Sequence, residues 1–274
     1  MEIDNSFIDN KNVDNKRFNL KKVLIIICCI LLFIILVIVY SRYKATSGLR
    51  INEYKITDST LPDSFHGFKL VQFSDIYYGN TVDLKYLKNI VDDINNLKPD
   101  IVVFTGDLIT SDIDNDTKNE IVNILNSINS SVGNYAIKGD SDNDLFDDII
   151  SLSSFTNLSN SSTNIYYKGE TPISIGNQDI SSELFSILLI HEPDSVINFN
   201  NSFNLILAGH SLNGQINLPI IKRIFLPNGA KKYYNGYYDI NGSPMYVSSG
   251  IGTTSFKYRF NNKPSINLYR LTKY

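Results

Sequence analysis

The most regular feature of the chain is an unbroken apolar run. Residues 23–40 read VLIIICCILLFIILVIVY, eighteen positions without a charge, a glycine or a proline. At about 1.5 Å per residue a helix of this length nearly crosses a ~30 Å hydrocarbon layer, and it lacks the polar stripe that a core helix turns to solvent. A cleaved leader would carry a shorter apolar stretch and a small-residue cleavage site, whereas SRYK follows here. The pattern predicts a retained transmembrane anchor over 23–40, a polar tail over 1–22, a linker over 41–54 and one folded domain over 55–274.

Beyond the linker the apolar runs become short. KLVQFSD predicts a buried strand ending at Asp75. Over 83–97, Leu84, Leu87, Ile90, Val91, Ile94 and Leu97 mark one helix face, and Lys98-Pro99-Asp100 stops it. IVVFTGD is a second strand, ending at Asp107. Strand, helix and strand at this spacing form a βαβ unit with parallel strands. A helix over 117–128 and a strand NYAIKGD follow, delivering Asp140, with Asp142 and Asp144 close behind. Residues 151–182 are weakly patterned apart from a strand over 164–167. FSILLI then leads to His191, and FNLILAG to His210.

Five apolar runs thus each deliver one carboxylate or imidazole: Asp75, Asp107, Asp140, His191 and His210. Ligands of open α/β sheets bind at the carboxyl ends of strands. A single aspartate there often caps a helix, and a single histidine is often structural. Five together point to a divalent metal, without which three close carboxylates would repel one another and titrate upward.

Composition narrows the class. Of 274 residues, 43% are hydrophobic and 19% charged, which excludes a disordered or collagen-like chain. A net charge of −3 gives no footprint for nucleic acid. Both cysteines, Cys28 and Cys29, fall in the apolar run, so there is no disulfide scaffold, and their absence beyond it suits an exported domain. Lys16, Arg17, Lys21 and Lys22 precede the run while Arg42 and Lys44 follow it. That bias predicts a single-pass protein of the cell membrane with its C-terminal domain outside the cytoplasm. Residues 45–274 carry 24 acidic against 18 basic side chains, so a phosphate-seeking domain of this sign needs a cation.

The motifs resemble calcineurin-like metallophosphoesterases, especially their membrane-anchored bacterial branch, which includes lipid-linked sugar pyrophosphatases. The family pattern is D-x-H, GD, GNH[DE], a histidine after an apolar strand, and GHxH. The matching stretches are Asp75-Ile-Tyr77, Gly106-Asp107, Gly139-Asp140-Ser141-Asp142, Ile190-His191 and Gly209-His210-Ser-Leu212. The likeness extends upstream through LPDSFHGFKLVQFSD, and downstream through 214–219 and SGIGTTSFKYRFNNKP. It implies a four-layer α/β/β/α sandwich. It also implies two metals, one at the positions of Asp75, Tyr77, Asp107 and Leu212, the other at Asp107, Asp140, His191 and His210.

The departures fall on imidazoles. By this resemblance Tyr77 and Leu212 replace two ligands of the first metal, and Ser141 replaces the histidine that acts on the leaving oxygen in the family. A phenol ionising near pH 10 is a poor substitute ligand. The second metal keeps four donors, with aspartate in place of asparagine, and that set suits manganese, zinc or iron. The resemblance implies one divalent metal at the kept site and no full ligand set for another. Two function classes follow: a membrane-tethered binding module of weak or absent hydrolytic activity, or a single-metal hydrolase of a phosphorylated membrane lipid or nucleotide sugar. Of two further candidates, His66 reads as a surface residue. Arg259 reads as either an anion contact or a backbone hydrogen-bond donor.

Overall fold

The computed structural model describes residues 20–218 and 222–274. The tail up to residue 19, with Lys16 and Arg17, and Pro219 of the downstream motif lie outside the described residues. The apolar run folds as helix α1 (Leu20–Val39), with no buried residue along its length. It is long and apolar enough to cross a membrane. A helix apolar on every side has no aqueous face to offer, so this one suggests membrane association.

The second unit begins at Tyr40 with a π-turn, Tyr40–Lys44. Its first strand, β1 (Arg50–Thr57), corrects the linker: residues 50–54 belong to the folded domain. RINEYKIT shows no buried run because it is an edge strand, with Ile51, Glu53 and Lys55 exposed and only Ile56 fully buried. The remaining elements are β2 (Lys69–Phe73), α2 (Leu84–Asn96), β3 (Ile101–Phe104), α3 (Asn115–Asn126), β4 (Gly133–Ala136), α4 (Asp144–Leu152), β5 (Phe155–Asn157) and β6 (Ser162–Ile165). They continue through β7 (Ile173–Gly176), β8 (Ser186–Ile190), β9 (Leu205–Ala208), β10 (Gly236–Ile240), β11 (Ser243–Val247) and β12 (Ser265–Thr272).

The predicted βαβ unit is present. β2 and β3 pair in parallel, Leu70 opposite Ile101, and α2 starts where the Asp83 carboxylate accepts the Tyr86 N–H at 2.7 Å. Two six-stranded sheets result, ordered β1-β12-β2-β3-β4-β5 and β10-β11-β9-β8-β7-β6.

Alternation along the strands explains the layers. Val71, Phe73, Val102 and Phe104 pack on one face of the first sheet with Leu87, Ile90, Ile121 and Phe146 of α2, α3 and α4. Leu70, Ile101 and Val103 face the other way, against Ile175, Ile187 and Leu205 of the second sheet. The outer face of the second sheet, through Leu188, Ile206 and Met245, is covered by Val196 and Phe199. The sandwich is therefore four-layered, its outermost layer on that side contributed by the 3-10 helix Pro193–Asn198 and neighbouring loops. β2, β3, β4, β8 and β9 run parallel within their sheets, which brings their carboxyl ends to one edge of the sandwich.

Candidate metal centre

At that edge the chain leaves the strands through strained turns. Asp75, Asp107 and His210 adopt left-handed backbone at φ 55°, 64° and 66°, and so do Tyr77 and Leu212 at 47° and 46°. Left-handed backbone at non-glycine residues costs free energy and collects at functional sites. Two glycines permit the crowding. A Cβ on Gly106 would stand 2.5 Å from His191 Nδ1, and one on Gly139 would stand 2.1 Å from Asp107 Oδ1.

Four of the five candidate residues converge. One donor atom from each of Asp107, Asp140, His191 and His210 lies within 4.8 Å of all the others. His191 Nε2 is 3.0 Å from Asp140 Oδ1 and 3.2 Å from Asp107 Oδ2, and His210 Nδ1 is 2.9 Å from Asp140 Oδ1. The other ring nitrogens fix the tautomers. His191 Nδ1 lies 2.6 Å from the Thr105 carbonyl and His210 Nε2 lies 2.5 Å from the Asn228 carbonyl. A carbonyl only accepts, so both nitrogens carry protons and the opposite lone pairs turn toward the carboxylates. Metal-ligating histidines are oriented in this way.

His210 Nδ1 is also a buried atom with no hydrogen bond of good geometry among the described residues, despite its distance to Asp140. An orphaned lone pair beside two carboxylates fits a cation. In the metal-free chain the neighbouring carboxylates favour the charged form of both imidazoles. Burial works against a charged His191, but Asp107 and Asp140 outweigh it and push the imidazole well above its usual range. For His210 burial is likewise outweighed by Asp140, and the pKa rises. The His191 hydrogen bond first, and then the close His210 imidazole, hold Asp140 far below the usual carboxylate range. Burial opposes ionisation of Asp107, yet the His191 and Tyr77 hydrogen bonds leave its pKa lowered.

Asp75 stands outside the group of four. Its Oδ2 accepts the Ser74 hydroxyl at 2.5 Å and the His210 backbone N–H at 3.1 Å, while Oδ1 is buried without a partner among the described residues. Burial raises its pKa to about 6. Tyr77 is buried and donates its hydroxyl to Asp107 Oδ2. Its phenol is pushed above its ordinary value, by burial first and then by the charges of Asp75 and Asp107. With His210, Phe225 and Phe256, Tyr77 and Leu212 line a pocket of about 140 Å³ beside the group. Ser141 gives its backbone N–H to Asp107 Oδ1 at 3.0 Å.

Asp142, visible in the sequence only as the last letter of a motif, positions the edge. Its carboxylate accepts the N–H groups of Asp107, Leu108, Ile109 and Gly139 at 2.7–3.1 Å, tying two strand-end loops together. Arg259 takes the structural role: fully buried, it donates to the carbonyls of Ser249 and Gly252. His66 is exposed and accepts the Lys273 N–H at 3.2 Å.

Comparison with known proteins agrees with this geometry. The profile of the calcineurin-like phosphoesterase family matches residues 68–230, the stretch that supplies all four converging residues. An uncharacterized metallophosphoesterase of Bacillus subtilis, YkuE, is 32% identical over 85% of this chain and 88% of its own length. A zebrafish transmembrane protein with a metallophosphoesterase domain is 25% identical over 83% of this chain and 58% of its own. The UDP-2,3-diacylglucosamine pyrophosphatase LpxG of Chlamydia muridarum is 35% identical, over only 34% of this chain and 30% of its own. With two facing sheets, acidic and imidazole donors at their carboxyl edge, and this family profile over more than half its length, the chain belongs to the calcineurin-like phosphoesterase family.

Proposed function

We propose that the protein is a membrane-anchored member of this family that holds one divalent cation through Asp107, Asp140, His191 and His210, and whose hydrolytic activity is weak or absent. α1 would hold it in the cell membrane as a single span with the domain outside the cytoplasm. The flanking basic residues and the cysteine-free domain support that orientation.

The observation that carries the reading is Tyr77. Its hydroxyl is spent on Asp107, and with the isobutyl group of Leu212 it occupies the place that the resemblance gives to imidazole ligands. A bound divalent cation would supply positive charge to polarise a phosphoryl oxygen and to lower the pKa of water. Around it, the chain's own groups do limited work. Thr105 and Asn228 orient the two imidazoles, Asp142 fixes the loops, and the Ser141 N–H steadies Asp107. Ser141 offers no group titrating near neutrality to protonate a leaving oxygen, and loss of a general acid costs about 10²–10⁴ in rate.

A second reading, a single-metal hydrolase of a phosphorylated lipid or nucleotide sugar, is favoured by the intact four-donor group and by the likeness to LpxG. Turnover of bis-p-nitrophenyl phosphate and of a lipid pyrophosphate, with and without Mn²⁺, decides between them. Metal-dependent turnover abolished by Asp107→Asn overturns the proposal.

A further inference from the structure

A second candidate site lies away from the metal centre. Where β1 and β12 of the first sheet face β10 and β11 of the second, the apolar filling between the sheets gives way to a cavity of about 480 Å³. That volume lies within the range of small-molecule sites. Its lining is unusual for this chain: it is rich in asparagine, with Arg50 and Lys263, and includes no carboxylate among the described residues. The surrounding domain is net acidic. Tyr40, the residue that directly follows α1 in the chain, also lines it.

The walls are held by a buried amide ladder. Asn52 Nδ2 donates to Asn267 Oδ1 at 3.0 Å, and Asn267 Nδ2 donates to the Tyr269 hydroxyl at 3.1 Å. The Tyr269 hydroxyl donates to Gln72 Oε1 at 2.8 Å, and Gln72 Nε2 donates to Thr105 Oγ1 and the Ala208 carbonyl at 3.1 and 3.0 Å. Across the cavity, Asn262 donates to the Leu212 carbonyl at 2.6 Å. Two lining groups are left over. Asn213 Oδ1 and Ser265 Oγ are buried, their residues 7% and 2% exposed, and neither has a hydrogen-bond partner among the described residues. Buried polar atoms are rarely left unpaired in native proteins, so each calls for a partner the chain does not supply.

Amides and hydroxyls both donate and accept, as the hydroxyls of a polyol require, and guanidinium and ammonium groups without a competing carboxylate suit a phosphate. We propose that this cavity binds a phosphorylated polyol, in free form or as a lipid headgroup.

The test uses the full chain under chelator, so that the metal centre plays no part. In detergent it is titrated calorimetrically with sn-glycerol 3-phosphate. In phosphatidylcholine nanodiscs, with and without phosphatidylglycerol, its thermal midpoint is recorded. Saturable binding is expected, weakened about tenfold or more by Arg50→Ala and by Lys263→Ala, each of which removes a charge-assisted hydrogen bond. Both changes lie on exposed side chains and leave the fold intact, and Lys85→Ala on α2 should change nothing. A response to glycerol phosphate marks a free ligand. A midpoint raised only by phosphatidylglycerol, and not in Arg50→Ala, marks a headgroup. Silence in both arms, binding untouched by both rim variants, or binding that appears only when metal is restored overturns the proposal.

Discussion

The two halves of the candidate centre meet at one edge of the sandwich and differ in chemistry. On one side Asp107, Asp140, His191 and His210 bring four donors within 4.8 Å of one another, each imidazole oriented by a carbonyl. On the other, the turns at Asp75, Tyr77 and Leu212 have the left-handed conformation also seen at Asp107 and His210, but they carry a carboxylate turned to a backbone N–H, a phenol and an isobutyl group. These left-handed turns present one carboxylate and no imidazole. Backbone and amide hydrogen bonds hold these turns whatever side chains they present: the Asp75 and Tyr77 N–H groups donate to the Gly106 and Asp107 carbonyls, and Asn262 donates to the Leu212 carbonyl.

The largest expected effect comes from undoing that difference. The triple variant Tyr77→His, Ser141→His and Leu212→His should gain a second tightly bound ion and raise bis-p-nitrophenyl phosphate turnover by about 10²–10⁴-fold, the range for restoring a general acid beside a metal pair. Elemental analysis and initial rates measure both. A variant that folds, binds two ions and stays inert would show that the missing imidazoles are not what limits the chemistry.

Next in size is loss of the kept half. The wild-type chain should bind one divalent ion, and His210→Ala or Asp107→Asn should lower its affinity by about a hundredfold or more. Two tightly bound ions in the wild type would erase the asymmetry.

The halves also differ in the pH window of their response. Both histidines have folded pKa values raised above the unfolded value of about 6.5. In the metal-free chain the resulting stability is fully present below that pH and is lost as pH rises through the folded values. Metal needs the neutral rings, so its affinity should climb with pH by about tenfold per unit for each proton displaced, levelling off above the raised values. Asp75 acts in the same direction over a lower window: burial raises it to about 6, so its ionisation lowers stability as pH rises from about 4 to 6. Thermal midpoints of metal-free and metal-loaded protein against pH separate these windows. A metal-induced shift that is flat across pH 5–8 (about the span in which histidine titrates) would contradict the histidine ligation.

How much of this was readable from residues depends on whether a pattern was local. The β2–α2–β3 unit was legible because Leu87, Ile90, Val91 and Ile94 mark a face and Pro99 ends it. The four converging donors were legible because each follows an apolar strand. β1 was not: RINEYKIT alternates charges, since an edge strand buries little. Asp142 carries no local mark of its four N–H partners, which come from two loops over thirty residues apart. The polar cavity was hidden as well, because Asn52, Asn213 and Asn267 look like ordinary surface asparagines until two sheets enclose them.

The smallest effect should come from Tyr77→Phe, and it bears most directly on what the phenol does. The substitution keeps the ring's volume and removes only the hydroxyl that reaches Asp107 Oδ2. That oxygen keeps His191 Nε2 at 3.2 Å, so it is not left bare. A hydrogen bond to a charged group contributes about 1.5–3 kcal/mol, and with one donor remaining the loss should fall near 1–2 kcal/mol in urea denaturation of the metal-free chain. Loading the cation should shrink the difference, because the ion then shares the Asp107 charge. The number of bound ions should stay at one, since phenylalanine and Leu212 still supply no donor. Should Tyr77→Phe instead admit a second ion, the phenol would be a plug rather than a replacement, and the empty half of the centre would owe its state to that one hydroxyl.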